Sequence, residues 1–168
     1  MTIIHIHNIK DFMHRMLRTE LFDHFLLTEA TIRGRVSYVI DGHIVKESFS
    51  AEELEAEQLE NLSCMPYAQL RENCYSLIKG KHTPSYFKFV FQLSPENLER
   101  TLAAGKSALS SSDLNAVFLN IRFQDGMLTC TSGVSYHNFV MDRTFEQEWD
   151  ALVYRFFLSH DIACTQIQ

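Results

Sequence analysis

The chain has 168 residues, of which 46% are hydrophobic and 13 are phenylalanine, enough apolar material for a buried core, so global disorder is excluded. Its formal net charge is −6, which argues against a dedicated nucleic-acid binder, because counterion release needs clustered Lys and Arg. An acidic protein can still carry a local basic face.

The opening MTIIHIHNIKDFM has no basic segment followed by a long apolar run, so it does not read as a signal peptide. No stretch approaches the ~20 apolar residues that span a bilayer, and no membrane partner is expected. The four cysteines, Cys64, Cys74, Cys130 and Cys164, form no CxxC pair and are expected to be reduced thiols of a cytoplasmic protein.

Ile3–His7 alternates Ile and His and predicts a strand. Asn8 is placed to cap a helix in which Ile9, Phe12, Met13, Met16 and Leu17 make one apolar face. Phe25–Ile32 predicts a strand, Arg33-Gly34-Arg35 a turn and Val36–Ile40 a returning strand. Asp41-Gly42 then reads as a type I′ hairpin into a third strand, His43–Phe49. Ser50 and Glu53 fit a capping box for a short acidic helix within Glu52–Glu60. A helix from about Tyr67 to Lys79 has Leu70, Cys74, Leu77 and Ile78 on one side and stops at Gly80.

Phe87, Phe89 and Phe91 alternate in a second opening strand. Ser94 and Pro95 start a helix that closes at Gly105. After a polar loop, Ser107–Asp113, three strands are expected: Ala116–Phe123, Met127–Thr131 and Val134–Met141, turned at Asp125-Gly126 and Ser132-Gly133. A last helix buries Phe145, Trp149, Leu152, Val153, Phe156 and Phe157, and residues 159–168 trail off.

Strand, helix, three strands, helix thus reads twice. Gly34 and Gly126 lie 92 residues apart, and Gly42 and Gly133 lie 91 apart. The expected architecture is an α+β single domain over 1–168, with pseudo-repeat halves 1–80 and 84–160. The short connections predict antiparallel sheets with flanking helices.

The segments FDHFLLTEATI, SLIKGK followed by FKFVFQLSPENLE, VFLNIRFQDGMLTCTSG and WDALVYRFF resemble an uncharacterised family of small bacterial proteins, a domain of unknown function. The resemblance spans essentially the whole chain and implies no functional residues. In shape alone, the repeated strand–helix–three-strand unit is similar to a DNA sliding-clamp domain. Clamps are acidic overall and confine basic residues to the helices that face DNA.

Lys10, His14 and Arg18 are four apart and share one helix face, with Arg15 close by. The clamp likeness makes them a candidate phosphate-contacting stripe; a solvated outer face is the competing reading. His5 and His7 point to one side of a strand but lack further ligands at a recognisable spacing, so no metal is expected. Gly105-Lys106-Ser107 lacks the upstream glycine of a phosphate-binding loop, and no cofactor is expected. Cys130, with His137 on the next expected strand, is the candidate nucleophile, set against a small core residue. The leading expectation is a non-catalytic binding or assembly protein with a protein partner or a second copy of itself. A clamp-like nucleic-acid module and a thiol enzyme using Cys130 are the alternatives.

Overall fold

In the computed structural model, which describes residues 1–167, strand β1 (Ile3–Ile6) leads into helix α1 (Ile9–Arg18). Asn8 accepts the backbone N–H of Asp11 at 3.0 Å and caps the helix. Strands β2 (Phe25–Arg33) and β3 (Ser37–Asp41) follow, then a 3₁₀ turn at Lys46–Ser48 and helices α2 (Ala51–Ala56) and α3 (Tyr67–Ile78). Strand β4 (Tyr86–Leu93) precedes α4 (Pro95–Ala104), which Ser94 caps. Strands β5 (Leu114–Gln124) and β6 (Met127–Tyr136), helix α5 (Thr144–Ser159) and strand β7 (Cys164–Ile167) complete the chain.

The strands form one seven-stranded antiparallel sheet in the order β3-β2-β4-β5-β6-β1-β7, so the fold is α+β. Its register explains its sidedness. One row of paired residues runs Ile40, Ala30, Phe89, Ile121, Cys130, Ile4 and Gln166 across all seven strands. The five central members are fully buried. The adjacent row runs Val39, Thr31, Lys88, Arg122, Thr129, His5 and Thr165. Successive side chains point to opposite faces, so the polar row lies on the other side of the sheet.

The apolar side is covered by α1, α3 and α5 through an aromatic cluster. Phe91 stacks on Phe22 with ring centroids 5.1 Å apart and meets Tyr67 of α3 edge-on at 4.9 Å. Phe12 of α1 meets both Phe22 and Phe157 of α5. The Tyr67 hydroxyl donates to the carbonyl of Met16 at 2.9 Å, which ties α3 to α1.

Four expectations are corrected. Residues 43–49 are not a strand, and Asp41-Gly42 is not a hairpin. The Asp41 side chain accepts the N–H of His43 at 3.0 Å, and the chain turns away to pair His43 with Cys64. Ser132-Gly133 is not a turn: β6 runs through it, with Gly133 opposite Phe118. Ser132 is small because its buried hydroxyl receives Thr2 N–H at 2.9 Å and donates to Asp150 of α5. Residues 159–167 do not simply trail off, since Cys164–Ile167 pairs with β1, and Gln168 lies outside the described residues.

The strand pairing also bears on duplication. Each half has strand, helix and two strands, and the pairing differs between them. β4 lies between β2 and β5, whereas its counterpart β1 lies between β6 and β7. The halves therefore share a single sheet rather than making two, and the pairing supplies no repeated clamp unit. Asp125-Gly126 does form the expected tight turn, with φ of 51° and 74°, the left-handed region that a type I′ turn requires.

Gly42 serves by close approach. A Cβ there would lie 1.7 Å from the carbonyl oxygen of Leu27, at the bulge between Leu27 and Glu29. Its own N–H donates to Thr28 and its carbonyl receives Met65 N–H at 2.8 Å, so neither neighbour is free to withdraw. Gly42→Ala is expected to destabilise the fold by roughly 3 kcal/mol, measured by urea denaturation. An unchanged midpoint would show that this junction yields.

Candidate functional site

The basic stripe on α1 does not project from a convex surface. Lys10, His14 and Arg18 line a cleft of about 730 Å³ between α1, α3, the 79–84 connection and the ends of β4 and β5. The amphipathic period of α1 sets this up: Phe12, Met16 and Leu17 are buried in the core, and the half-buried Ile9 and Met13 turn toward the cleft. Ile78, Pro84, Phe87 and Phe123 complete an apolar floor.

The rim is cationic. Lys79 of the α3 terminus joins Lys10, His14 and Arg18, and the lining contains no Asp or Glu. Tyr75 sits between two of the cations, with the Arg18 guanidinium 4.4 Å and the Lys79 ammonium 5.7 Å from its ring centre. Among the described residues, Lys10, Arg18 and Lys79 take part in no ion pair. Arg18 and Lys79 lie at helix C-termini, where the helix dipole favours a cation. Lys10 lies in the first turn of α1, where the dipole opposes one, so local helix electrostatics does not account for it.

Arg15 separates from the other three. Its Nε donates to Asp11 at 2.9 Å and its Nη1 to the carbonyl of His160 at 2.5 Å, away from the cleft. Sequence reasoning reached Lys10, His14 and Arg18 through their fourfold spacing but missed Lys79, Tyr75 and the floor. Their contribution depends on α3 packing beside α1, a contact with no local sequence signal.

A second cleft, of about 700 Å³, lies between the acidic segment and the start of α4. Its charges are mixed: Asp23 is paired with Arg71 at 2.9 Å, and Glu96 with Arg100 at 2.5 Å. Its fixed charge is therefore largely satisfied within the protein.

The other candidates do not assemble. Cys130 is fully buried in the core row of β6, and burial pushes its thiol well above the ordinary value. His137 lies exposed beyond the end of β6, its N–H bound to the carbonyl of Asp113. The thiol-enzyme reading is thereby corrected, because a buried neutral thiol without a base is not an activated nucleophile. In native protein near neutral pH, Cys130 is expected to resist iodoacetamide and to react only after unfolding, as read by mass spectrometry of the peptides. Fast labelling of the native protein would contradict this. His5 and His7 pack edge to face at 4.8 Å, and His7 Nε2 is 2.5 Å from the Thr165 hydroxyl. Among the described residues, no three His, Cys, Asp or Glu side chains are grouped to hold a metal. Gly105 closes α4, and Lys106 N–H donates to Glu148 at 2.6 Å, a carboxylate where a phosphate loop needs an anion's space. No helix is long and apolar enough to cross a membrane.

No curated protein and no solved structure matches the chain. A family profile described as a family of unknown function, DUF5721, matches residues 15–165. That span contains Arg18, Tyr75, Lys79 and most of the cleft floor, while Lys10 and His14 precede it. With nine-tenths of its length inside that match, the chain belongs to the DUF5721 family of unknown function.

Proposed function

We propose that this is a non-catalytic binding protein whose ligand is a small organic anion with an apolar body, held in the α1–α3 cleft. One observation carries the reading: a rim of Lys10, His14, Arg18 and Lys79 without a carboxylate stands over a floor of Ile9, Met13, Ile78, Phe87 and Phe123. A volume near 730 Å³ is in the range of small-molecule sites. The rim would hold a phosphate or carboxylate, and the floor would take an alkyl or aryl group out of water. Cytoplasmic residence is part of the same proposal, supported by four unpaired cysteines.

Isothermal titration with octyl phosphate, inorganic phosphate and 1-octanol tests the reading. Octyl phosphate is expected to saturate at one per chain. The two fragments, each satisfying half of the cleft, should bind at least about tenfold more weakly. A labelled DNA duplex at low salt covers the phosphate-stripe alternative. Duplex binding that octyl phosphate fails to displace, with no saturable octyl phosphate binding, would replace the small-anion reading with that one.

A further inference from the structure

We propose that the open face of the sheet holds single-stranded nucleic acid, lying across the strands from β2 to β1. Two neighbouring rows of paired residues build this surface. The first runs Arg33, Tyr86, Gln124 and Met127 over β2, β4, β5 and β6. The second runs Thr31, Lys88, Arg122, Thr129 and His5 over the same strands and β1. Residues two apart on a strand share a face, so both rows lie on the side opposite α1, α3 and α5. Arg33, Arg122, Gln124 and Met127 are exposed there, and Tyr86, Lys88 and His5 are half-buried.

Charge selects the occupant. Lys88 and Arg122 stand directly opposite one another, and like charges in that position disfavour the sheet by themselves. Among the described residues, neither they nor Arg33 take part in an ion pair. Two carboxylates border the rows without neutralising them: Glu29, which accepts the Thr31 hydroxyl at 3.1 Å, and Asp125 in the β5–β6 turn. In a chain of net charge −6, these neighbouring unpaired cations match an anion that arrives from outside. The chemistry of the two rows then favours a polynucleotide over an acidic peptide. The Lys88 row offers cations, hydroxyls and an imidazole, groups that hold phosphates. The Arg33 row adds flat and apolar surface: the Arg33 guanidinium lies over the Tyr86 ring, 4.9 Å from its centre, and Met127 is 55% exposed. Unpaired bases stack on such surfaces, whereas an acidic peptide would leave that row unused. A duplex keeps its bases inside, so only a single strand engages both rows. A lone phosphate meets the Lys88 row at one point, so octyl phosphate is not expected to saturate it.

Fluorescence anisotropy with a labelled thymidylate strand of about eight nucleotides, at low salt, reads the contact. Saturable binding is expected, with a duplex of the same length at least about tenfold weaker. Lys88→Glu makes the opposed pair complementary, so the urea midpoint should not fall, while strand binding weakens about tenfold. Arg122→Glu should weaken it to a similar extent, with circular dichroism confirming the fold. Arg18→Glu with Lys79→Glu, which weakens octyl phosphate binding in the cleft, should leave strand binding within about twofold. That contrast separates failure here from failure of the small-anion reading. No saturable strand binding overturns the proposal. So does strand binding that Lys88→Glu and Arg122→Glu leave unchanged, that the duplex equals, or that oligoglutamate of equal charge displaces as well as unlabelled strand does.

Discussion

Phe91→Ala is expected to lower the unfolding free energy by about 4 kcal/mol, in the range measured when a buried aromatic is truncated in a core that cannot close around the gap. Phe91 is fully buried and its ring contacts Phe22, Phe25, Tyr67 and Phe89. Those partners come from the 22–25 segment, α3 and β4, and Phe22 passes the contact on to Phe12 of α1 and Phe156 of α5. Removing the ring withdraws a direct contact from Tyr67 of α3 and the support beneath Phe22, through which α1 and α5 are joined to the sheet. For a chain of this size the melting temperature should fall by roughly 12 °C, followed by circular dichroism or Trp149 fluorescence. Phe139→Ala supplies the comparison: Phe139 is 86% exposed, and its loss should change stability by less than about 0.5 kcal/mol. Equal effects at the two positions would contradict the described core.

The second large effect concerns binding. Reversing both Arg18 and Lys79 to Glu should weaken octyl phosphate binding about 30-fold. Each exposed charge contact is worth up to ~1 kcal/mol, and reversal adds repulsion to the loss. The effect should shrink as salt is raised toward 1 M, where screening reaches about 3 Å. Arg15→Gln should change binding by less than about twofold, because that guanidinium serves Asp11 and His160 instead. This comparison separates the cleft from a simple basic stripe. A stripe read by an extended polyanion would use Arg15 together with its neighbours, and Arg15→Gln would then weaken binding as much as a change at Arg18.

The sequence revealed what depends on neighbouring residues. The Asn8, Ser50 and Ser94 caps, the Asp125-Gly126 turn and the alternating Phe87-Phe89-Phe91 strand all answer to short-range rules, and each is present. Failures occurred where distant chain segments override a local preference. Asp-Gly is a hairpin signal, yet at Gly42 the backbone of Leu27 occupies the space a side chain would take, the Thr28 carbonyl accepts its N–H and the Met65 N–H donates to its carbonyl. Ser-Gly is a turn signal, yet Ser132 answers to Thr2 and Asp150, far away in sequence. The third strand of each apparent unit followed from these two misread glycines, and without their turns each half has strand, helix and two strands. β7 was missed because four residues, Cys-Thr-Gln-Ile, carry no strand pattern until β1 offers them an edge. For the candidate site, helical spacing marked three of the four rim groups, while the floor and Lys79 required the tertiary packing of α3.

Two-dimensional ¹H–¹⁵N spectra of the labelled protein, titrated with octyl phosphate, test the central claim most directly. The account predicts saturable shifts confined to amides of Ile9–Arg18, Tyr75–Thr83, Phe87 and Phe123, with the polar row of the sheet at Lys88, Arg122 and Thr129 unmoved. Shifts centred on that sheet face or on the second cleft, or no saturable shifts at all, would contradict it.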